Sequence, residues 1–171
     1  MENIIMENNT MVIATVFIAI ATVVNAMVAL QLGRHSISYN KNAIRPICVI
    51  SVDDYYNKIS VSILNAGTGP MMVKELSCKD GMQSSSDLIS LMPELEQSWT
   101  TFYKNITEDT IMAGGKAILI ELNPETEETR RKVRDALKNI TVYVEYMDVY
   151  DTVFTKSKKL DFFGRPMKPG K

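Results

Sequence analysis

Residues 64–76 read LNAGTGPMMVKEL, two glycines and a proline wedged between apolar runs. If this were a phosphate-cradling loop, the surrounding domain would be a nucleotide-binding α/β fold. If it is a corner between strands, the domain is β. A dinucleotide loop needs G-x-G-x-x-G opening a helix, because the phosphates rest on the free N–H groups at the helix start. Here Gly67 and Gly69 lead into Pro70, which has no N–H, and then into residues of strand composition. No Gly-Lys-Ser/Thr follows, and GGK at 114–116 lacks the hydroxyl and also precedes a strand-like run. Asn65, Gly67, Gly69 and Pro70 are therefore read as a structural turn. In this reading glycine supplies positive φ, Pro70 starts the next strand, and the Asn65 side chain bonds to backbone two residues on.

On either side of this corner the chain reads as strands. Residues 46–52 (PICVISV) form an apolar run, and 57–65 alternate, with Ile59, Val61 and Ile63 on one face and Lys58, Ser60 and Ser62 on the other. Further strands are predicted at 71–79, 98–106 and 116–122, and in ITVYVEYMDVY and TVFTKSKKLDF toward the end. One soluble helix is predicted in NPETEETRRKVRDALKN, with Asn123 as N-cap, Pro124 in the first turn and an apolar stripe of Val133, Ala136 and Leu137. About seven strands and one surface helix predict an antiparallel β-sandwich of Ig-like type over residues 46–163.

Upstream, Met11–Leu30 (MVIATVFIAIATVVNAMVAL) holds 20 residues without a charge. At ~1.5 Å per residue such a helix is about 30 Å long, the hydrocarbon thickness of a bilayer. A cleaved signal peptide would carry a basic leading segment, whereas MENIIMENNT has Glu2 and Glu7 and no Lys or Arg. The predicted organisation is a short tail (1–10), a transmembrane helix (11–32), a juxtamembrane linker (33–45), the β domain (46–163) and a disordered tail (164–171). Arg34, Lys41 and Arg45 follow the span and no basic residue precedes it, so the β domain is expected in the cytoplasm and the N-terminus outside. Cys48 and Cys78 then lie in a reducing compartment and read as small buried hydrophobes.

The motifs RPICVISV, VSILNAGTGPMMV and VYVEYMDVYDTVFT resemble a pattern in small bacterial single-pass membrane proteins to which no activity is attached. There a helix is followed by R-P and a strand, then N-x-G-x-G-P, then a strand reading roughly Y-x-D-x-x-G. The matching positions are Arg45, Pro46, Asn65, Gly67, Gly69, Pro70, Tyr146 and Asp148, and Asp151 replaces the final glycine. The resemblance implies a membrane-tethered sandwich in the inner membrane of a bacterium.

No catalytic constellation emerges. His35 is the only histidine, so no triad forms around it, and neither a zinc motif nor a cysteine cluster is present. Carboxylates at Asp53 and Asp54, and at Glu145, Asp148 and Asp151, read as strand ends. No cofactor or metal is expected, and the chain is expected not to be an enzyme.

Two features point elsewhere. Residues 1–129 carry 8 Lys/Arg against 15 Asp/Glu, while 130–171 carry 11 against 5. Arg130, Arg131, Arg134 and Lys138 on the helix, with Lys156, Lys158 and Lys159 on the last strand, are the candidate site for an anionic ligand such as lipid headgroups or a nucleotide. No aromatic residues are interleaved as in a base-stacking surface, which disfavours long nucleic acid. Within the span, Ala21, Asn25 and Ala29 recur at i, i+4, i+8, a small-residue stripe with one amide. Self-association through this face is expected, and Asn25→Leu should abolish the oligomer signal in a membrane assay. The functional expectation is a tethered, non-enzymatic interaction or sensing module binding a protein partner or anionic ligand. The alternative is an oligomeric membrane-disrupting effector gated by a nucleotide signal, as in bacterial immunity.

Overall fold

A chain without proline from its start to Pro46 has nothing to interrupt a helix, and Gly33 costs only about 1 kcal/mol relative to alanine. In the computed structural model, which describes residues 2–166, helix α1 accordingly runs over Glu2–Ala43. It takes in the predicted tail from Glu2 onward and nearly all of the predicted linker. It stops where Pro46 pushes the residue before it toward extended geometry. Within it Ile13–Lys41 is long and apolar enough to cross a membrane. The chain divides into two units, this helix and a β domain beginning at Ala43.

The β domain is mainly antiparallel sheet. Strands β1 (Cys48–Tyr55), β2 (Lys58–Asn65), β3 (Met71–Asp80) and β4 (Gln83–Ser85) come first. They are followed by β5 (Thr101–Phe102), β6 (Thr110–Ile111) and β7 (Lys116–Leu122). Helix α2 (Glu127–Leu137) precedes β8 (Thr141–Met147) and β9 (Val153–Lys159). One sheet has the order β1-β2-β7-β5; the other has β4-β3-β8-β9, with β6 also paired to β3. Nine strands are thus described where about seven were expected, the additions being short. The predicted strand over 98–106 shrinks to two residues, because Asn105 accepts from Thr107 N at 3.0 Å and Glu108 takes φ 72°, turning the chain away. Of the predicted disordered tail, residues 167–171 lie outside the described residues.

Alternation along the strands builds the core. Ile50 faces Ile63 and Val52 faces Val61 across β1 and β2, while Val142, Val144 and Tyr146 alternate along β8. Both sheets contribute to one buried cluster that includes Ile59, Ile63, Leu119, Met71, Leu76 and Val144. The polar face of β2 departs from expectation: Ser60 and Ser62 are buried as fully as the isoleucines. Ser60 donates to Asp53 at 2.9 Å, and the ion pairs Lys58–Glu121 and Lys116–Asp53 flank it, so neighbouring side chains of that face roof it over.

The corner connects β2 to β3, and its glycines serve a different purpose from the one expected. Among the described glycines only Gly81 and Gly114 have positive φ. Gly67 and Gly69 are needed for room: a Cβ on Gly67 would lie 2.3 Å from Arg45 O, and one on Gly69 1.8 Å from Ile44 O. The backbone of residues 44–47 passes directly against the corner. Asn65, fully buried, sits at the crossing. Its Oδ1 accepts from Gly67 N at 3.0 Å, two residues on as expected, and from Ile47 N at 3.2 Å; its Nδ2 donates to Gly69 O at 2.8 Å and Ile111 O at 2.9 Å. All four hydrogen-bonding positions of the amide are filled.

Asp148 organises the β8–β9 turn in the same manner. Its Oδ1 accepts from Tyr150 N at 2.8 Å and Thr152 N at 2.9 Å, and Asp151 adopts φ 59°, the conformation a glycine there would take freely.

Candidate functional site

The basic residues divide between helix and strand. Helix α2 is capped by Thr126, whose hydroxyl oxygen accepts from Thr129 N at 3.1 Å. Asn123 is not the cap, because residues 123–125 are held by Gln97: its Nε2 donates to Asn123 O and its Oε1 accepts from Glu125 N, both at 2.9 Å. Starting three residues later, the helix buries Val133 and Leu137 as expected, and with them Arg134.

Arg134 and Arg130, one turn apart, converge on Asp54 at the end of β1. Arg130 Nη2 lies 2.8 Å from Asp54 Oδ1, and Arg134 Nη1 donates to Asp54 Oδ2. Arg134 Nη2 reaches the carbonyls of Phe163 at 2.9 Å and Arg165 at 2.6 Å. The carboxylate and both guanidinium groups are almost wholly shielded from water. A fork with fixed donors suits this multidentate task, which a lysine would not fill. The cluster fastens β1, α2 and the final 3₁₀ turn, Asp161–Gly164, to one another. Its Arg130 Nε is buried without a hydrogen-bond partner.

Of the seven predicted anion-site residues, Arg130 and Arg134 are therefore committed inside the domain. Lys138 pairs with Asp135 at 2.7 Å, and Arg131 is exposed on the helix. On β9, Lys156 lies opposite Val144 and Lys158 opposite Val142, so both occupy the face that those valines bury; Lys159, opposite Thr141, occupies the other. Ala21, Asn25 and Ala29 are all exposed on α1.

The inward side of β9 meets β1, and there a second constellation forms. Lys158 Nζ donates to Ile50 O at 2.9 Å, joining edge strands of the two sheets. Two positions before Lys156, Phe154 stacks on Tyr146 with centroids 5.5 Å apart, and the Arg45 guanidinium lies 4.5 Å over the Phe154 ring. Tyr146 Oη accepts from Cys48 N at 3.4 Å. The sequence marks Arg45 only as a topology signal and as part of an R-P pair. The parity of Phe154, Lys156 and Lys158 along β9 was the available clue, masked because lysine on a core-side face runs against expectation.

Both thiols are buried, and Cys48 borders this row. Desolvation pushes the Cys48 pKa from its ordinary 9.0 to about 11, with the charge of Lys156 opposing it in part; desolvation, aided by Asp87, pushes Cys78 from 9.0 to about 12. Because the folded state holds these protons more tightly, their contribution is complete below pH 9 and is lost as pH rises toward 11–12. Unfolding measured between pH 8.5 and 11 should show stability falling by up to about 1.4 kcal/mol per pH unit for each thiol. A Cys48→Ala, Cys78→Ala variant with the same slope would refute this. Tyr103 O–H donates to Asp109 at 2.7 Å, which raises the phenol pKa, beside an open, largely apolar hollow of about 590 Å³ that Ile111 and Ile118 help to line.

Among the described residues no group of His, Cys, Asp and Glu side chains is placed to hold a metal ion. Neither a protein-family model, nor a curated protein, nor a solved structure matches this chain.

Proposed function

We propose that the chain is a membrane-tethered, non-enzymatic interaction or sensing module. Helix α1 crosses the cytoplasmic membrane of a bacterium once, with the N-terminus outside. The β domain, a sandwich of Ig-like type, lies in the cytoplasm and binds a protein partner or an anionic ligand. One observation carries this reading: the core of the β domain draws wholly on residues from Cys48 to Phe163, while the apolar window of α1 is 0% buried. A run of large apolar side chains with no protein cover is costly in water and is solvated by lipid. Single-core packing of the two sheets, and the Lys158 bridge between their edges, support the sandwich.

Topology tests it. Met82, fully exposed in the β3–β4 turn, is a labelling position that the buried native thiols do not obscure. A Met82→Cys chain should resist a membrane-impermeant thiol reagent in intact cells and react after lysis. Labelling in intact cells would place the domain outside, and recovery in the soluble fraction would remove the tether.

A further inference from the structure

We propose that the seam between β1 and β9 is a binding site for a phosphoryl-bearing anion, formed by Arg45, Lys156 and Lys158. The proposal rests on the reading that the β domain binds an anionic ligand; it keeps Lys156 and Lys158 of the expected site, drops the helix α2 residues and adds Arg45.

Two of the three cations, Lys156 and Lys158, share one face of β9 with Phe154, and the third, Arg45, comes from the segment before β1. Phe154, Lys156 and Lys158 alternate along β9, and Arg45 lies over the first of them. At 3.2–3.4 Å per residue the row extends about 13 Å, enough to span more than one phosphoryl group. Among the described residues none of the three forms an ion pair. The nearest acid on the facing side of β1 is Asp54, and its carboxylate is held by Arg130 and Arg134. Positive charge is thus gathered in a seam where no described carboxylate pairs with the three cations, and an anion there relieves their mutual repulsion.

The donors are also pre-positioned. The Arg45 guanidinium is placed by its contact with the Phe154 ring, which itself stacks on Tyr146, and it has no hydrogen-bond acceptor among the described residues. Lys158 is held by the Ile50 carbonyl and Lys156 is exposed between the two. A guanidinium with two ammonium groups is the donor set that phosphoryl oxygens fill. Defence of a sheet edge against pairing with another chain accounts for lysines on either face of β9. It does not account for an arginine placed over Phe154 at the end of the lysine row.

Phosphoryl groups reach this seam from a soluble anion or from lipid headgroups, and the test separates the two. The full chain is placed in nanodiscs of phosphatidylcholine and titrated with inorganic tripolyphosphate, and separately placed in discs containing phosphatidylglycerol without added phosphate. Thermal unfolding is followed in both. Stabilisation by tripolyphosphate in neutral discs identifies a soluble ligand; stabilisation by the anionic discs alone identifies headgroups. In either case Lys156→Glu should weaken the effect about tenfold, and Arg131→Glu should leave it unchanged. Lys156 makes no hydrogen bond that folding requires, so its variant should fold, which its unfolding curve without ligand checks. Stabilisation in neither disc, or stabilisation that Lys156→Glu leaves intact, overturns the site. If Arg131→Glu removes it instead, the seam is wrong while an anionic ligand stands. Both sides of a nanodisc are accessible, so the outcome is independent of the Met82→Cys result in cells.

Discussion

Asp54→Ala is expected to destabilise the β domain by about 3–5 kcal/mol, the cost of leaving buried charge without its partner. Both Arg130 and Arg134 lose their only buried carboxylate, and neither can swing into water without vacating the space between β1, α2 and the final 3₁₀ turn. Urea unfolding of the full chain, followed by the fluorescence of Trp99, the sole tryptophan, measures the loss. Adding Arg130→Met and Arg134→Met to Asp54→Ala should recover much of it, since an apolar cluster of similar volume removes the unpaired charge. A loss below about 1 kcal/mol for the single variant would mean that the pair is solvated and worth no more than a surface salt bridge.

Asn65→Ala should cost a similar amount, about 4 kcal/mol, by a different route. The change leaves Ile47 N, Gly67 N, Gly69 O and Ile111 O without the amide that satisfies them, and each buried orphan costs roughly 1–3 kcal/mol before water enters. Asn65→Asp keeps both accepted bonds, loses both donated ones and adds a buried charge, so it should be no better than alanine. The same unfolding assay decides. Retention of wild-type stability in Asn65→Ala would show that backbone contacts alone hold the corner, among them Ala66 N to Ile47 O at 2.8 Å.

Features set by neighbouring residues were legible before the structure. The uncharged run of α1, the strands around the corner and the apolar stripe of α2 each follow from local pattern. Features that depend on distant residues were not. Asp54 and Arg134 are 80 positions apart, and nothing in either neighbourhood announces that an arginine of a polar helix will be buried. Ser60 and Ser62 read as a solvated face because alternation cannot show what roofs it. Thr126 displaced Asn123 as cap because Gln97, remote in sequence, held the preceding residues. Gly67 and Gly69 looked like conformational glycines; that they make room for residues 44–47 is visible only where two segments cross. The basic residues show the same limit most plainly: composition counted the charges, and pairing decided which remained free.

The crossing at Asn65 has a mechanical consequence. Tension applied to the first residues of the β domain acts along β1, whose eight register pairs with β2 run from Cys48–Asn65 to Tyr55–Lys58. Along that axis the strand pair is loaded in shear, so its hydrogen bonds share the force and do not open one after another from an end. The bonds from Asn65 and the contacts of Gly67 and Gly69 with residues 44–47 anchor the point where the load arrives. A pull from upstream is thereby passed from the edge strand β1 to β2, which pairs with both β1 and β7.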